Sequence, residues 1–288
     1  MTSCRKSLVA RAQLVFGRFA RSRLALAGLV LVVVLVATAA IAPLMGLQSP
    51  DEIDTLAMLS SPSSDHLLGT DDLGRDTFSR LIHGARVSLS ASVAAVALAM
   101  LVGVPLGLVA GYVGGALDEG VMRMLDAVMA LPPLVLALTI AAVLGPGMIN
   151  GMLAIAVVAV PTFTRLVRGQ VLSIKHDDYV TAARSIGAPR RVIIFRHVLP
   201  NAINPVIVQG ALGIGFAIIT ESSLSFIGLG AQPPTSSWGS MVQVGFQYLE
   251  LAPWLVMAPA LLIFAAVLGF NLLGEGLREM LDPNARSR

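Results

Sequence analysis

The sequence is poor in charged residues and in cysteine. Of its 288 residues, 13% are charged and 56% are hydrophobic. Soluble domains carry roughly twice that share of charge, at about 25%, so the composition excludes an ordinary soluble protein. The single cysteine, Cys4, excludes an internal disulfide and a metal cage built from cysteines. The composition therefore predicts an all-α integral membrane protein with several spanning helices.

The few charged residues are distributed unevenly along the chain. Residues 1–23 contain six Lys or Arg and no acid, whereas residues 48–85 contain seven Asp or Glu against two Arg. Cytoplasmic segments of membrane proteins carry the excess of basic residues. We therefore predict that residues 1–23 are cytoplasmic and residues 48–85 external. The net charge of +3 follows from this membrane pattern, and no nucleic-acid partner is expected.

Six apolar runs near the length of about 20 residues that spans a bilayer divide the chain. The first run also has small residues at 37–39, as a signal peptide does at its cleavage site, but it is too long for a signal core. Both termini are predicted to be cytoplasmic. We expect the first three spans at 24–47, 87–111 and 124–144, the third with a break at Pro132-Pro133. The fourth follows the turn at 145–147 and ends at 166, and the last two are at 202–227 and 254–273. The last five lie in a core domain, 86–276, and a cytoplasmic tail follows at 277–288.

Two further patterns concern helices. Phe78, Leu81 and Ile82 fall on one face of residues 74–84, which predicts a short helix lying at the membrane interface. Glycines at four-residue spacing in the second span let another helix approach closely. These glycines, predicted to form a helix-packing seam, are Gly103, Gly107 and Gly111.

A charged segment, residues 177–201, lies between two apolar runs and is predicted to form two short helices. Asp177 and Asp178 suit a helix start, and Gly187 suits a left-handed stop. The residues between them at helical spacing form a small, mostly apolar stripe: Tyr179, Ala182, Ala183 and Ile186. The stripe favours close docking of a partner, although the spacing alone fits an ordinary helical hairpin equally well.

The second helix of this segment is predicted to begin at Pro189 and to end at Pro200. One side is apolar and the rest supplies positive charge. The apolar residues are Val192, Phe195 and Leu199, and the basic residues are Arg190, Arg191 and Arg196.

Residue identity adds a family resemblance. The run Ala182-Ala183-x-x-x-Gly187, followed by His197-Val198-Leu199-Pro200, resembles the EAA loop of ATP-binding-cassette (ABC) importer permeases. Thr181 stands where that motif has an acid and His197 where it has isoleucine, and both departures look like the peptide-transporter branch. Other segments are similar to dipeptide, oligopeptide and nickel permeases: HLLGTDDLGRD at 66–76, RLIHGARVSL at 80–89, GLGAQPP at 228–234 and SWG at 237–239.

The resemblance implies a permease subunit with the type I ABC importer transmembrane-domain fold, located in the bacterial inner membrane. It implies a second homologous permease, two ATPase subunits and an extracytoplasmic substrate-binding protein as partners. The substrate would be a di- or oligopeptide, with nickel or another small solute as the alternative. The 177–201 loop would form coupling helices that dock on the ATPase. Its coupling residues would be Tyr179, Ala182, Ala183, Gly187, Arg190, Arg191, Phe195, His197, Leu199 and Pro200.

The chain lacks a motif for hydrolysing ATP itself. A phosphate-binding loop needs glycine directly before its lysine, but the two lysines, Lys6 and Lys175, follow Arg5 and Ile174. We therefore expect no catalytic residue, cofactor or metal in this chain, and we expect ATP and Mg²⁺ on partner subunits.

One acid, Glu221, lies well inside a predicted span. Because a buried carboxylate is costly, Glu221 is a candidate for the translocation path or for a structural hydrogen bond to a neighbouring helix. Two other function classes fit less well. A proton-coupled secondary transporter would depend on Glu221 alone. An intramembrane hydrolase would need a Ser–His pair within the membrane, but the histidines are in loops or at interfaces: His66, His83, His176 and His197.

Overall fold

The computed structural model describes residues 22–281, and its regular elements are helices. The predicted basic segment up to residue 21 and the tail from 282 lie outside this range. The helices are α1 Arg23–Ile41, α2 Thr77–Val113, α3 Gly115–Met129, α4 Pro133–Leu144, α5 Met148–Ile174, α6 Asp178–Ser185, α7 Arg190–Val192, α8 Leu199–Phe226, α9 Trp238–Gln247 and α10 Trp254–Leu281. A 3₁₀ turn, Ala42–Leu44, extends α1, and a π-helical segment, Ile193–Val198, joins α7 to α8.

Five of the helical segments are long and apolar enough to cross a membrane. They are α1 with its 3₁₀ turn, α2, α5, the continuous segment Arg190–Phe226, and α10. A sixth span results if α3 and α4 count as one broken span, since they meet at an angle of 88°. The bend falls at Pro132-Pro133, where Pro133 opens α4 as a proline can at a first helical position. The predicted all-α membrane fold is confirmed.

The beginning of α2 differs from the sequence prediction of a separate interfacial helix at 74–84. Asp76 caps a single helix that runs from Thr77 to Val113, because its Oδ1 accepts a hydrogen bond of 2.7 Å from the Ser79 N–H. Gly84 does not interrupt this helix, and it faces the backbone of Ser236 and Ser237. The connection between α1 and α2, together with α9, covers the first turns of α2, so Leu81 is buried and not at a free interface.

The end of the second predicted short helix also differs from the prediction, because Pro200 does not terminate it. The chain stays helical through Pro200 into α8. Just before it, the Leu199 N–H bonds to the carbonyl of Ile194, five residues back. This π geometry fits a position where proline has no N–H to donate and would crowd the carbonyl four residues back. The result is one continuous helix, Arg190–Phe226, of 37 residues.

The packing arranges the helices between two ends of the molecule. At one end, the Lys175 ammonium donates to the Gly111 carbonyl (3.2 Å), which joins the end of α5 to the end of α2 beside the 177–201 loop. At the opposite end, the Gly147 N–H donates to the Leu229 carbonyl (3.2 Å). Between the ends, α2 packs on α5, α1 packs on α10, and α8 contacts α2, α5, α9 and α10.

Candidate functional site

The 177–201 loop begins with α6, whose end is fixed by Gly187. Gly187 has a φ of +77°, the left-handed conformation that glycine adopts without a steric penalty. Its N–H bonds to the Arg184 carbonyl (3.0 Å), and the Ala188 N–H bonds to the Ala183 carbonyl (3.1 Å). The chain therefore turns sharply toward α7 at this glycine.

The predicted apolar stripe on α6 is divided between two environments. Ala183 is buried in this chain's own core, in the same cluster as Val180, Ile193 and Val198. The expectation that Ala183 offers a docking surface to a partner is therefore wrong, because the side chain packs inward. Val180 is fully buried and was missing from the predicted stripe. Its spacing of three residues from Ala183 is the local signal that could have indicated an inward face.

The outward side of the loop is apolar and surrounded by positive charge. Ile186 is 84% exposed, Phe195 is 64% exposed, and Ala182 and Tyr179 are also exposed. Within residues 22–281, no carboxylate lies within 4.0 Å of the four arginines on α6, α7 and the π segment: Arg184, Arg190, Arg191 and Arg196. Such a surface suits an apolar partner groove with an acidic rim.

A small polar cluster holds the two halves of the loop together. The Asn201 side-chain amide donates to the Tyr179 hydroxyl (3.1 Å) and to the His197 carbonyl (2.7 Å). The rings of Tyr179 and His197 are 6.5 Å apart. Desolvation and the neighbouring Asp177 carboxylate raise the pKa of Tyr179, which favours the protonated hydroxyl. These contacts join α6 to the π segment, which leads into α8.

Ion pairs connect the same end of the bundle to α3. Arg168 on α5 holds Asp118 on α3 in a bidentate pair, with N–O distances of 2.5 and 2.7 Å. A second pair joins Arg165 to Asp126. Bidentate guanidinium–carboxylate pairs fix geometry as well as charge, so α3 is held against α5 next to the loop.

The three predicted seam glycines all lie against α5. A Cβ added to Gly107 would stand 2.5 Å from the Thr164 carbonyl oxygen and 2.8 Å from the Val167 Cβ. A Cβ on Gly103 would meet the Phe163 Cβ, and one on Gly111 the Val171 Cβ, each at 2.9 Å. Real Cβ atoms essentially never come this close to another atom, so a side chain at any of these three positions would force α2 and α5 to shift.

Glu221 is held inside the bundle. Its side chain is buried, one carboxyl oxygen accepts from the Ser225 hydroxyl (2.7 Å), and the other, Oε2, has no hydrogen-bond partner among the described residues. The Ser225 bond runs along its own helix, and the predicted hydrogen bond from Glu221 to a neighbouring helix stays a prediction. Glu221 does not line the apolar cavity in the middle of the bundle, which is described next. Its burial therefore favours a structural role.

That cavity, of about 330 Å³, lies among α2, α4, α5 and α8 and was not anticipated from the sequence. Its walls are mainly apolar, and Phe163 and Phe216 are among them. Thr162 and Gln209 supply the uncharged polar groups. A cavity of this composition accepts an uncharged or weakly polar surface, because it holds no ionised side chain.

Comparison with known proteins identifies the class. Residues 103–287 match the family described as binding-protein-dependent transport system inner membrane component, and residues 11–62 match the N-terminal TM domain of oligopeptide transport permease C. The chain belongs to the first of these families. It is thus a multi-pass inner-membrane permease subunit of a transport system that works with a binding protein. Permease subunits of this family are not catalytic, so the prediction that this chain is not an enzyme is confirmed.

Individual relatives match over almost the whole chain. The chain is 43% identical over 272 residues to a dipeptide transport system permease protein of Alkalihalophilus pseudofirmus, covering 94% of this chain and 90% of that protein. It is 44% identical over 271 residues to a glutathione transport system permease protein of Pectobacterium atrosepticum, with the same coverage. Among solved structures, the inward-facing MetNI methionine ABC transporter is similar with a TM-score of 0.57 at 16% identity. That match covers 70% of this chain and 96% of the other and supports the fold alone.

Proposed function

We propose that this chain forms, with a second homologous permease, the membrane pathway of an ATP-driven importer for di- and oligopeptides. Two ATPase subunits would bind the 177–201 loop, and an external binding protein would deliver the peptide. ATP and Mg²⁺ would be held by the ATPase subunits. The observation that carries the proposal is the exposed apolar and basic surface of the loop, on a chain that has no phosphate-binding loop.

The continuous helix explains how motion at the loop could reach the pathway. At a rise of 1.5 Å per residue, the 37 residues from Arg190 to Phe226 form a rod of about 55 Å. The rod begins in the loop, passes Gln209 in the mid-bundle cavity and reaches Glu221 near its far end. When the ATPase pair closes, the loop would tilt this rod and open the cavity alternately to either side.

The cavity suits a peptide backbone better than an ion. Thr162 and Gln209 offer hydrogen bonds, and the surrounding apolar walls tolerate varied side chains. The homologous permease would supply the other half of the wall. A nickel or other small-solute importer is the alternative, because the segments at 66–89 resemble nickel permeases as well as peptide permeases.

Uptake measurements test the substrate. We expect cells that lack this gene to lose uptake of radiolabelled dialanine, and the restored gene to return it. Uptake of radiolabelled nickel should be equal in the two strains. Loss of nickel uptake with normal dialanine uptake would replace the proposed function by the alternative.

We also propose that both termini and the 177–201 loop face the cytoplasm, on the charge asymmetry of the sequence. With Cys4 replaced by serine, a single cysteine at residue 60 should react with an impermeant thiol reagent in intact cells. A single cysteine at Ile186, which is highly exposed, should react only after the cells are opened. The reverse pattern would invert the proposed orientation.

A further inference from the structure

A second cavity, of about 260 Å³, lies at the end of the molecule opposite the 177–201 loop. Its walls come from the end of the connection before α2, the beginning of α2, the connection after α8, α9, and the beginning of α10. Three charged side chains line it: Asp71, Arg75 and Arg80. Both arginines are more than nine-tenths buried, at 8% and 7% exposed. Buried guanidinium groups in a cavity wall require negative partners.

The carboxylate of the cavity is already fully engaged. Asp71 Oδ1 accepts from the N–H groups of Leu73 (2.9 Å) and Arg75 (3.0 Å), and its Oδ2 accepts from Arg75 Nε (2.7 Å). Arg80 Nε lies 3.4 Å from the same Oδ2, and Arg80 Nη1 donates to the Pro50 carbonyl (2.7 Å). Within the lining, two guanidinium groups therefore share this one carboxylate.

Two other acids approach the arginines from outside the lining. Asp72 lies 3.5 Å from Arg75, and Asp51 lies 3.5 Å from Arg80. Their side chains are 28% and 46% exposed, although the Asp72 Oδ1 atom that faces Arg75 is itself buried. These contacts use Arg75 Nη2 and Arg80 Nη1, so among the described residues Arg75 Nη1 and Arg80 Nη2 have no partner and can donate to a ligand.

A separate observation indicates where that ligand belongs. Thr77 lines the cavity and is 1% exposed, yet its hydroxyl has no hydrogen-bond partner within residues 22–281. A buried hydroxyl without a partner is unfavourable, so the position fits a group that arrives with the ligand. Gln243 on α9 faces the same space and can add an amide donor.

We propose that this cavity binds the free carboxylate end of a short peptide. The inference rests on the proposed function, in which peptides cross this subunit. Guanidinium and hydroxyl donors recognise a carboxylate well, and the apolar part of the lining, which includes Met241, Val244 and Leu255, can hold the last side chain. The volume lies just below the range of small-molecule sites, which suits a peptide end and not a folded domain. The cavity opens at the end where, in the proposed orientation, the peptide arrives.

The test uses the complete permease–ATPase complex in lipid nanodiscs, with radiolabelled dialanine and its C-terminal amide as probes. Dialanine should bind and the amide should bind about tenfold more weakly, because a charge-assisted hydrogen bond is lost. Thr77→Val keeps the shape of the side chain and removes only the unpaired hydroxyl, so the protein should fold. This variant and Gln243→Leu should each weaken dialanine binding about three- to tenfold and reduce the preference for the free acid.

Matched controls separate the cavity from general effects. Thr164→Val removes an equally buried hydroxyl that bonds only to the Val160 carbonyl of its own helix. Gln247→Leu changes an exposed glutamine one turn further along α9. Neither control should change dialanine binding or the preference for the acid.

Three results would overturn the proposal. Equal binding of dialanine and its amide, or no binding of either, would remove the carboxylate from recognition. Unchanged dialanine binding in both Thr77→Val and Gln243→Leu would mean that the cluster is only structural. Weaker binding of the external binding protein, with unchanged dialanine binding, would assign the cavity to an acidic side chain of that protein. Failure of the proposed function would look different, because the wild-type transporter would then take up no peptide at all.

Discussion

Replacing both Ile186 and Phe195 by alanine is expected to abolish uptake and release the ATPase subunits, while the permease itself stays folded. The two side chains are 84% and 64% exposed in this chain, so their loss removes little from its own core. If a partner covers them, their truncation removes about 2–4 kcal/mol of apolar burial. That corresponds to roughly 30- to 1,000-fold weaker association. The measurement is recovery of the ATPase subunits on a tagged permease in detergent, together with dialanine uptake in cells.

The control changes exposed apolar residues at the opposite end. Ile53 and Leu56 are 58% and 97% exposed in the segment between α1 and α2. Their double alanine variant should recover the ATPase subunits as well as the wild-type permease does. Normal ATPase recovery and normal uptake in the Ile186/Phe195 variant would mean that the 177–201 loop is only a helical hairpin.

Gly107→Ala is expected to destabilise the bundle by about 1–3 kcal/mol, the usual cost of overpacking. The new methyl group would lie 2.5 Å from the Thr164 carbonyl oxygen and 3.1 Å from the Arg168 nitrogen. Both atoms are backbone and cannot rotate away, so α2 and α5 must separate. Thermal unfolding of the purified protein in detergent should show a clearly lower midpoint, and less folded protein should be obtained from the membrane.

Gly169 supplies the matched control, because it lies on α5 and has nothing within 4 Å of an added Cβ. Gly169→Ala should be neutral or stabilising, since alanine favours a helix by about 1 kcal/mol over glycine. Equal midpoints for Gly107→Ala and Gly169→Ala would contradict the close contact between α2 and α5.

Features set by local sequence could be predicted, and features set by tertiary contacts could not. The seam of Gly103, Gly107 and Gly111 follows from a four-residue period within one helix, and the bend at Pro132-Pro133 follows from two adjacent residues. By contrast, the inward direction of Ala183 depends on where Ile193 and Val198 lie. A stripe on a short helix does not reveal which of its edges faces the protein.

The two cavities illustrate the same limit over longer distances. Thr77 and Gln243 are separated by most of the chain and meet only because α9 packs over the beginning of α2. Neither residue belongs to a spacing pattern, and an unpaired hydroxyl is visible only after the surroundings of Thr77 are known. Likewise, Gln209 lies in an apolar span, and only the packing brings it and Thr162 to the wall of the same cavity.

The unbroken helix from Arg190 to Phe226 also restricts how the length of this chain can change. Each residue turns an α-helix by 100°, so one residue inserted between Phe195 and Glu221 would rotate one of them away from its present side. The π segment at 193–198 already holds the one local widening in this stretch that the structure describes. The connection from 45 to 76 is not helical, so a change in its length does not rotate one side chain relative to another. Insertions and deletions are therefore expected to accumulate in that connection, while the distance in residues from the loop to Glu221 stays constant.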